Sequence, residues 1–346
     1  MNPYIMATLF LGLGLGTAVT VTSSHWLLAW MGLEMNTLAI IPLMAQPHHP
    51  RAVEATTKYF LTQATAAAMV LFASTTNAWL TGQWDIQQMS HPLSVTLITL
   101  ALALKLGLAP LHSWLPEVLQ GLDLITGLVM STWQKIAPLA LLIQFQHTCP
   151  SLLVILGILS TLIGGWGGLN QTQLRKILAY SSIAHLGWML LVLQLSPTLT
   201  LLALLVYLVM TTSMFLTFKM NKVTTVNALA TSWAQSPILT TLTPLILLSL
   251  GGLPPLAGFM PKWMIIQELT TQGLAPLATF AALTALLSLY FYLRLSYAMT
   301  LTLSPNTTAG SIPWRASPTH PTLPLALSIT ATTLLLPMTP TIVTLL

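Results

Sequence analysis

Four ionisable residues of this 346-residue chain lie inside apolar stretches rather than in connecting loops. They are Glu34, Lys105, Lys135 and Lys262. A charged side chain at membrane depth costs about 2.5–3.5 kcal/mol on insertion scales, so an ionisable residue there is a functional-site hypothesis by default. Apolar surroundings favour the neutral form of a lysine, and a nearby carboxylate favours its charged form. One acid and several lysines of this kind predict a gated relay of protons.

Each of these residues also has a structural explanation. A lysine near the end of a span can extend its ammonium to the membrane interface, and this alternative stays open for Lys262, which follows Pro261. A glutamate can pair with a lysine only to fix helix packing, which is the alternative for Glu34. Lys105 and Lys135 lie inside the apolar runs LALALKLGLAPL and LVMSTWQKIAPL, which favours the functional interpretation.

Two histidines fall in similar surroundings. His112 lies next to a predicted backbone break, and His185 lies in the stretch AYSSIAHLGW, whose tyrosine and serines offer hydrogen-bond partners. A neutral imidazole donates at one nitrogen and accepts at the other, so both residues are candidates for proton transfer. A hydrogen-bonded histidine that only packs is the alternative for both. A metal site would need further ligands, which the sequence does not group together.

The chain contains the same interruption twice. The segment Gly107–Glu117 (GLAPLHSWLPE) aligns with Gly252–Lys262 (GLPPLAGFMPK), sharing a glycine, two leucines and two prolines at equal spacing. Paired interruptions of apolar segments by glycine and proline are typical of transporter folds with broken helices. At the same offset, Lys105 aligns with Leu250 and Lys135 with Phe280. We therefore expect related architecture with different proton chemistry in the two halves.

The composition predicts a membrane protein. Hydrophobic residues make up 55% of the chain, charged residues 5%, and the mean hydropathy is +0.80, which excludes an ordinary soluble domain. The 11 lysines and arginines are scattered, so the net charge of +5 does not indicate nucleic-acid binding. The one cysteine, Cys149, permits no internal disulfide. The N-terminal stretch has no basic region or cleavage signal, which predicts a retained first span.

Apolar segments of about 20 residues predict about eleven transmembrane helices. A short interfacial helix is predicted between Lys222 and Ser236, and a polar connection between Ser304 and Pro321. The predicted spans lie near 3–22, 25–45, 57–80, 92–110, 124–145, 151–170, 174–194, 198–220, 237–258, 275–300 and 322–344.

The basic residues alternate between the connections. Odd-numbered connections contain no lysine or arginine, and because basic residues mark the cytoplasmic or matrix side, the N-terminus is predicted on that side. In a mitochondrion that side is the matrix. The residues that carry this signal in the even-numbered connections are Arg51, Lys58, Arg175, Lys176, Lys219, Lys222 and Arg315.

Five stretches of the chain together resemble a known family. They are WLLAWMGLEMNTLAIIPL, LALKLGLAPLHSWLPEVLQG, STWQKIAPL, LNQTQLRKILAYSSIAHLGW and LLSLGGLPPLAGFMPKW. They resemble the second-subunit family of the proton-pumping NADH:ubiquinone oxidoreductase, respiratory complex I, in its mitochondrially encoded vertebrate form. The resemblance covers nearly the whole chain and is weakest after Ser304.

The resemblance implies a fold and a role for each candidate residue. It implies an all-α polytopic membrane protein of two inverted five-helix antiporter-like repeats, residues 1–146 and 147–303, each with a broken helix, followed by a connection and C-terminal helix over 304–346. Glu34 and Lys105 would interact in the first repeat and Lys135 would be the central relay. Lys262 would belong to the second broken helix, and His112 and His185 to a polar axis.

The resemblance also implies the function and the partners. The chain would be a core membrane-arm subunit that takes part in proton translocation, coupled to NADH oxidation and ubiquinone reduction by other subunits. It would bind no cofactor or metal itself, since NADH, FMN, iron–sulfur clusters and ubiquinone would bind elsewhere. Its partners would be other membrane-arm and accessory subunits, the inner-membrane bilayer and cardiolipin, with no nucleic acid. The alternatives are a stand-alone cation/proton antiporter and a structural spacer without its own proton path.

Overall fold

The computed structural model describes residues 2–145, 150–234, 236–301 and 322–345. Within these ranges the chain consists of α-helices, two short 3-10 segments and connections, and it contains no β-strand. The all-α fold expected from the sequence is confirmed. Cys149 and the whole predicted connection between Ser304 and Pro321, including Arg315, lie outside the described residues.

The chain divides into two compact units, Met1–Ser160 and Thr161–Leu346. The repeat boundary predicted between residues 146 and 147, and the inverted relation of the repeats, stay predictions. Seven helices lie wholly in the first unit: α1 (Pro3–Thr22), α2 (Trp26–Ala45), α3 (Pro50–Thr81), α4 (Pro92–Leu106), α5 (Trp114–Gly121), α6 (Leu124–Ser131) and α7 (Trp133–Gln144).

The remaining helices include one that crosses the division between the units. A short helix, α11, lies between Lys222 and Ser236, where the sequence predicts one. The helices are α8 (Pro150–Gly168), α9 (Leu174–Leu193), α10 (Pro197–Met220), α11 (Val226–Ala230), α12 (Pro237–Gly251), α13 (Phe259–Thr271), α14 (Ala275–Thr300), α15 (Leu323–Leu334) and α16 (Thr339–Leu345).

Several of these helices are long enough to cross a bilayer. Among the described residues, six helices of at least 18 residues are apolar enough to span, and a seventh span results if Leu323–Leu334 and Leu336–Ile342, bent by 72°, count as one. Helices α4 and α12 have 15 residues each and are shorter than a span because both stop at a break. The count of about eleven spans therefore stays a prediction, although every predicted span contains helix.

The first two helices pack with their backbones in contact. A methyl group built on Gly16 would lie 2.9 Å from the carbonyl oxygen of Gly32, and one built on Gly32 would lie 2.8 Å from that of Gly16. Small residues allow two helices to approach this closely. In a bilayer the hydrophobic effect does not drive helices together, so such van der Waals packing stabilises their association. The approach brings Asn36 of α2 against Gly16, whose added methyl would lie 2.7 Å from Asn36 Oδ1.

Both predicted interruptions are broken helices. Helices α4 and α12 each begin at a proline and end before a glycine in the left-handed region, Gly107 with φ 77° and Gly252 with φ 79°. Only glycine adopts this conformation without a steric cost, which is why helices often end there. The chain resumes helical structure at Trp114 and at Phe259, positions that align at the same offset as the glycines. The sequence prediction of two related broken helices is confirmed.

Candidate functional site

A small cavity lies within the first unit, among the helices α2 to α7. Its volume is about 10 Å³, and both Lys105 and Lys135 line it. The two lysines come from different helices, so the fold brings together side chains that are far apart in sequence. The other polar residues that line the cavity are Asn36, Thr37, Tyr59, Gln63 and Gln134.

Lys105 lies in the last turn of α4, two residues before Gly107. Its side chain is only 6% exposed, and its Nζ has no hydrogen-bond partner among the described residues. The C-terminal end of a helix carries partial negative charge, which favours a cation in its last turn. Because the break ends α4 here, the partial negative charge of the helix end favours the charged form of this buried lysine.

Glu34 lies on α2 and is half-buried. The Thr37 hydroxyl donates a hydrogen bond of 2.7 Å to its carboxylate and contacts the Glu34 carbonyl oxygen at 2.9 Å. Glu34 interacts electrostatically with Lys105 and with Tyr59. The ion pairs within 4.0 Å among the described residues do not include Glu34. The acid therefore acts on Lys105 through space and not through direct contact.

Lys135 lies just after a second interruption, between α6 and α7. Thr132 ends α6 with its hydroxyl donating to the Leu128 carbonyl at 2.7 Å, and α7 starts at the next residue. Pro138 lacks an N–H, so the helix leaves the Gln134 carbonyl without its usual intrahelical donor. Lys135 is 2% exposed and sits beside this irregular backbone. Irregular backbone at membrane depth is tolerated where it lines a polar cavity.

His112 lies in the break between α4 and α5. It is half-buried, and its Nδ1 donates toward the Pro110 carbonyl oxygen at 3.2 Å, since a carbonyl oxygen only accepts. That contact leaves Nε2 as the acceptor in the neutral ring. His112 does not line the cavity that holds the two lysines.

The second unit contains a cluster of hydroxyl and imidazole groups. The His185 ring on α9 lies 5.5 Å from the ring of Tyr207 on α10, with an angle of 44° between the planes. The Tyr207 side chain hydrogen-bonds that of Ser182, and Tyr207 is fully buried. Tyr292 of α14 is also buried, at 1% exposure. These groups donate and accept protons without carrying charge.

Lys262 contacts the end of the helix that precedes it. Its Nζ donates a hydrogen bond of 2.7 Å to the carbonyl oxygen of Gly251, the last residue of α12. A methyl group added to Gly252 would lie 2.8 Å from Lys262 Cδ, so the glycine leaves room for the lysine. A cation at a helix C-terminus satisfies a free carbonyl and the helix dipole together. Lys262 therefore has a capping role that the sequence did not predict.

Several residues next to the predicted ones were not predicted from the sequence. The predicted residues are charged residues and histidines, whereas the cavity and the second-unit cluster also contain uncharged polar side chains buried inside the spans. A search for amides and hydroxyls within apolar runs would have found them. They are Asn36, Tyr59, Gln63, Gln134, Tyr207 and Tyr292.

The described part of the chain contains no group of three or more histidine, cysteine or acidic side chains placed to hold a metal ion. The arrangement that it does contain consists of buried lysines, an acid, hydroxyls and imidazoles. Amines, carboxylates and imidazoles are groups that can donate and accept protons.

The fold and these sites define an antiporter-like membrane subunit. Residues 23–288 match the family model described as NADH:quinone oxidoreductase/Mrp antiporter, and residues 289–343 match the model described as NADH dehydrogenase subunit 2 C-terminus. NADH-ubiquinone oxidoreductase chain 2 of Tetraodon nigroviridis is 75% identical over all of this chain and 99% of its own length. The same chain of Salmo salar is 69% identical over the same shares. The chain belongs to the NADH-ubiquinone oxidoreductase chain 2 family, which confirms the resemblance seen in the sequence.

Solved structures agree with this assignment. A chain of respiratory complex I from Thermus thermophilus is 30% identical and superposes with a TM-score of 0.81 over 97% of this chain and 80% of its own length. A chain of the Mrp complex from Dietzia, at 18% identity, shares the fold with a TM-score of 0.79 over 97% of this chain and 75% of that one. The chain is a membrane subunit of NADH–ubiquinone oxidoreductase.

Proposed function

We propose that this subunit carries protons through Glu34, Lys105 and Lys135 in its first unit and through His185 and Lys262 in its second, with His112 at the first break. The observation that carries this proposal is the shared cavity of Lys105 and Lys135, two buried lysines on different helices. Polar groups near two buried amines can accept and donate a proton. The hydrocarbon of the surrounding lipid has no such groups.

Glu34 acts as the gate of this path. Its carboxylate interacts electrostatically with Lys105 without contacting it, so a small movement changes how strongly the charged lysine is favoured. Approach of Glu34 holds the proton on Lys105, and withdrawal releases the proton toward Lys135.

The work comes from partner subunits. Moving one elementary charge against 100 mV costs about 2.3 kcal/mol, and a relay without an energy source only lets protons leak back. NADH oxidation and ubiquinone reduction, with their cofactors, take place in the other subunits of the complex. Their conformational or electrostatic effect on Glu34 and the lysines drives the transfer.

Neutral replacement of the central lysine tests the proposal. In the intact complex, Lys135→Met removes the proton carrier and keeps the side-chain length, so the number of protons moved per electron falls while the complex still assembles. Arg51→Met is the control, because it also removes a positive charge and Arg51 is exposed at the start of α3. A normal proton-to-electron ratio in Lys135→Met would overturn the proposed role and favour a structural spacer.

The competing function is that of a stand-alone cation/proton antiporter. The likeness to the Mrp complex concerns the fold alone. Purified chain in liposomes with an imposed cation gradient distinguishes the two, since the proposed dependent subunit moves no protons without its partners. Exchange by the isolated chain would overturn dependence on the complex.

We further propose that the subunit lies in the inner mitochondrial membrane with its N-terminus in the matrix. The alternating basic residues support this orientation. In a chain with Cys149→Ala, a membrane-impermeant maleimide added to mitoplasts should label Ser24→Cys in the first connection. It should not label Pro47→Cys in the second. The opposite labelling would reverse the orientation.

An anionic phospholipid such as cardiolipin is the proposed lipid partner. An apolar groove of about 810 Å³ lies between α12 and α15, lined by Leu242, Ile329 and, at one end, Met220. Lys219 and Lys222 are exposed beside that end and supply charge for a phosphate. Replacing both lysines with glutamine should lower the amount of cardiolipin that copurifies with the complex, and unchanged retention would argue against this site.

A further inference from the structure

An apolar groove lies on the first unit between α1, α2 and α6, and it shares no lining residue with the cavity of the two lysines. Its volume is about 440 Å³. Ile40 and Leu43 form its buried floor at 1% and 5% exposure, whereas Phe10 and Ile125 are 48% and 50% exposed at its sides. Large apolar side chains that stay exposed around a groove mark an interaction site with lipid, ligand or protein.

One end of this groove is polar. Gln46 follows the last residue of α2, Asp123 precedes the first residue of α6, and both line the groove. Because α2 ends and α6 begins there, the polar end lies toward a membrane surface and the apolar part extends toward the bilayer interior. A phospholipid has the same arrangement, with its headgroup at the surface and its acyl chains inside.

The Asp123 carboxylate at the polar end has no partner among residues 2–145. Asp123 is exposed at the N-cap position of α6, yet its side chain does not cap that helix, and the ion pairs do not include it. Its backbone is fixed, since the Thr126 hydroxyl and the Gly127 N–H donate to its carbonyl oxygen at 3.0 and 2.8 Å. An N-cap aspartate usually accepts from the helix itself. This carboxylate is therefore available to an external cation.

The start of α6 supplies the opposite charge. Backbone dipoles give the N-terminal end of a helix a partial positive charge, and its first N–H groups bind anions. Because the Asp123 side chain does not cap α6, it does not occupy these N–H groups. The polar end of the groove thus combines a carboxylate with a helix end that favours an anion. This pair complements a headgroup that carries an ammonium and a phosphate close together.

Two other occupants match the groove less well. Cardiolipin carries phosphates and no ammonium, so the Asp123 carboxylate repels it, whereas the groove between α12 and α15 has lysines at its end. A helix is about 10 Å wide, and one of its turns occupies roughly 420 Å³, so a single turn fills this groove. A membrane-spanning helix therefore does not fit inside it, and a hydrocarbon chain does.

We infer that this groove binds an acyl chain of phosphatidylethanolamine, with the lipid ammonium on Asp123 and its phosphate at the start of α6. The ammonium donates to the Asp123 carboxylate and to the side-chain oxygen of Gln46. A quaternary choline headgroup has no N–H and cannot form these charge-assisted hydrogen bonds. The site is separate from the proposed lysine relay, so its loss leaves the proton-to-electron ratio unchanged.

The first test uses a phosphatidylethanolamine that carries a photoreactive diazirine in one acyl chain. It is added to the intact complex in nanodiscs, and the label on peptides that contain Phe10 or Val129 is measured by mass spectrometry. Asp123→Asn keeps the shape of the side chain and its ability to cap a helix, and removes the charge. It should lower this label by about two- to fivefold, the range expected for an exposed ion pair. An unchanged label would overturn the inference.

Controls separate the headgroup from the groove. Asp85→Asn is the matched variant, because Asp85 is also an exposed aspartate of the first unit but does not line the groove, and it should leave the label unchanged. Phosphatidylcholine with the same photoreactive chain should label weakly and equally in the unmodified complex and in Asp123→Asn. Equal labelling of the unmodified complex by both lipids would show that Asp123 does not select the headgroup.

The second test is a density map of the unmodified complex in lipid. We expect chain density along Phe10 and Val129 that ends in a headgroup beside Asp123. A side chain of another subunit in the groove, or an empty groove in a map that resolves other lipids, would overturn the inference. Neither test depends on proton pumping, so failure of the lysine relay and failure of the lipid site are distinguishable.

Discussion

The two broken helices have the same backbone and different side-chain chemistry. Helices α4 and α12 have equal length, and each is closed by a left-handed glycine whose N–H bonds back to the last turn. The following residue also closes on the same carbonyl: Leu108 N–H donates to Ala103 at 3.0 Å, and Leu253 N–H donates to Leu248 at 3.2 Å. The repeated sequence pattern therefore reproduces the break in detail.

The difference lies in which side chain donates a hydrogen bond to the carbonyls at the end of the helix. In the first unit the Trp114 indole N–H donates to the Leu104 carbonyl at 3.1 Å, which leaves Lys105 to the cavity. In the second unit the Lys262 ammonium donates to the Gly251 carbonyl, and Leu250 occupies the position that aligns with Lys105. In the first break the capping group is neutral and the buried lysine lines the cavity. In the second break the capping group is charged and the position aligned with Lys105 is apolar.

The largest expected effect comes from exchanging one aligned residue between the breaks. Ser113 is exposed, but a methyl group on its counterpart Gly258 would lie 1.8 Å from the carbonyl oxygen of Ser249. Because backbone must move to relieve this overlap, Gly258→Ser should destabilise the second unit by at least about 3 kcal/mol. Ser113→Gly should cost less than about 1 kcal/mol. The amount of assembled complex on native gels measures both.

Equal assembly of the two variants would show that the breaks pack alike after all. That result would contradict the difference between the two breaks, because the second break could then widen around the added side chain without a loss of stability. A helpful companion is Gly258→Ala, which adds only the methyl group and should already reduce assembly.

The second prediction separates the two roles of Lys262. Lys262→Met removes a charge-assisted hydrogen bond to the Gly251 carbonyl and should cost about 1.5–3 kcal/mol. Lys262→Arg keeps a donor in reach but cannot release its proton. We expect the arginine variant to assemble normally and to pump fewer protons per electron, as measured in coupled vesicles. A normal ratio in Lys262→Arg would leave Lys262 as a cap only.

The neutral cap of the first break should matter less. The Trp114 ring lies 5.9 Å from the Tyr59 ring. Trp114→Phe keeps an aromatic side chain there and removes the indole N–H. The expected loss is about 1 kcal/mol, seen as a lower melting temperature of the complex. The proton-to-electron ratio should not change, because the indole N–H is not part of the proposed relay. A change in the ratio would mean that the break itself positions Lys105.

The backbone could be predicted from sequence because it depends on local chemistry. Glycine is favoured where φ is positive and proline interrupts the helical hydrogen bonds, so Gly107, Gly252 and the prolines around them predicted both breaks. Runs of apolar residues determined the helices for a similar reason. These signals lie in residues that are neighbours in sequence, so they can be recognised without knowing the tertiary contacts.

The site was harder to predict because its contacts are tertiary. Formal charge identified Lys105 and Lys135, but the amides of Asn36 and Gln63 carry none and come from other helices. The contact of Lys262 with Gly251 depends on the direction of a long side chain across the break, which sequence spacing does not fix. Formal charge therefore marked the candidate residues, and tertiary packing decided which groups each of them contacts.

The smallest expected effect concerns Glu117, which aligns with Lys262 and faces solvent. Its carboxylate lies 2.7 Å from Lys58 Nζ, and Glu54, which precedes the predicted third span, lies 2.8 Å from the same atom. The Lys58 hydrogen bond and positive charge lower the pKa of Glu54. A carboxylate with a lowered pKa contributes stability that is present above its unfolded pKa of about 4.3 and is lost only as the pH falls through the lower folded value.

Glu117→Gln and Glu54→Gln should therefore each change the melting temperature by less than about 2 °C, because exposed ion pairs contribute little. The change should be constant between pH 6 and pH 8 and should shrink in high salt, which screens exposed charges within a Debye length of about 8 Å at physiological ionic strength. Thermal melts of the purified complex at three pH values and two salt concentrations measure this. A change in melting temperature that varied between pH 6 and pH 8 would reveal a group that titrates in that range. The ion pairs of Lys58 at the first break would then have a role beyond a small contribution to stability.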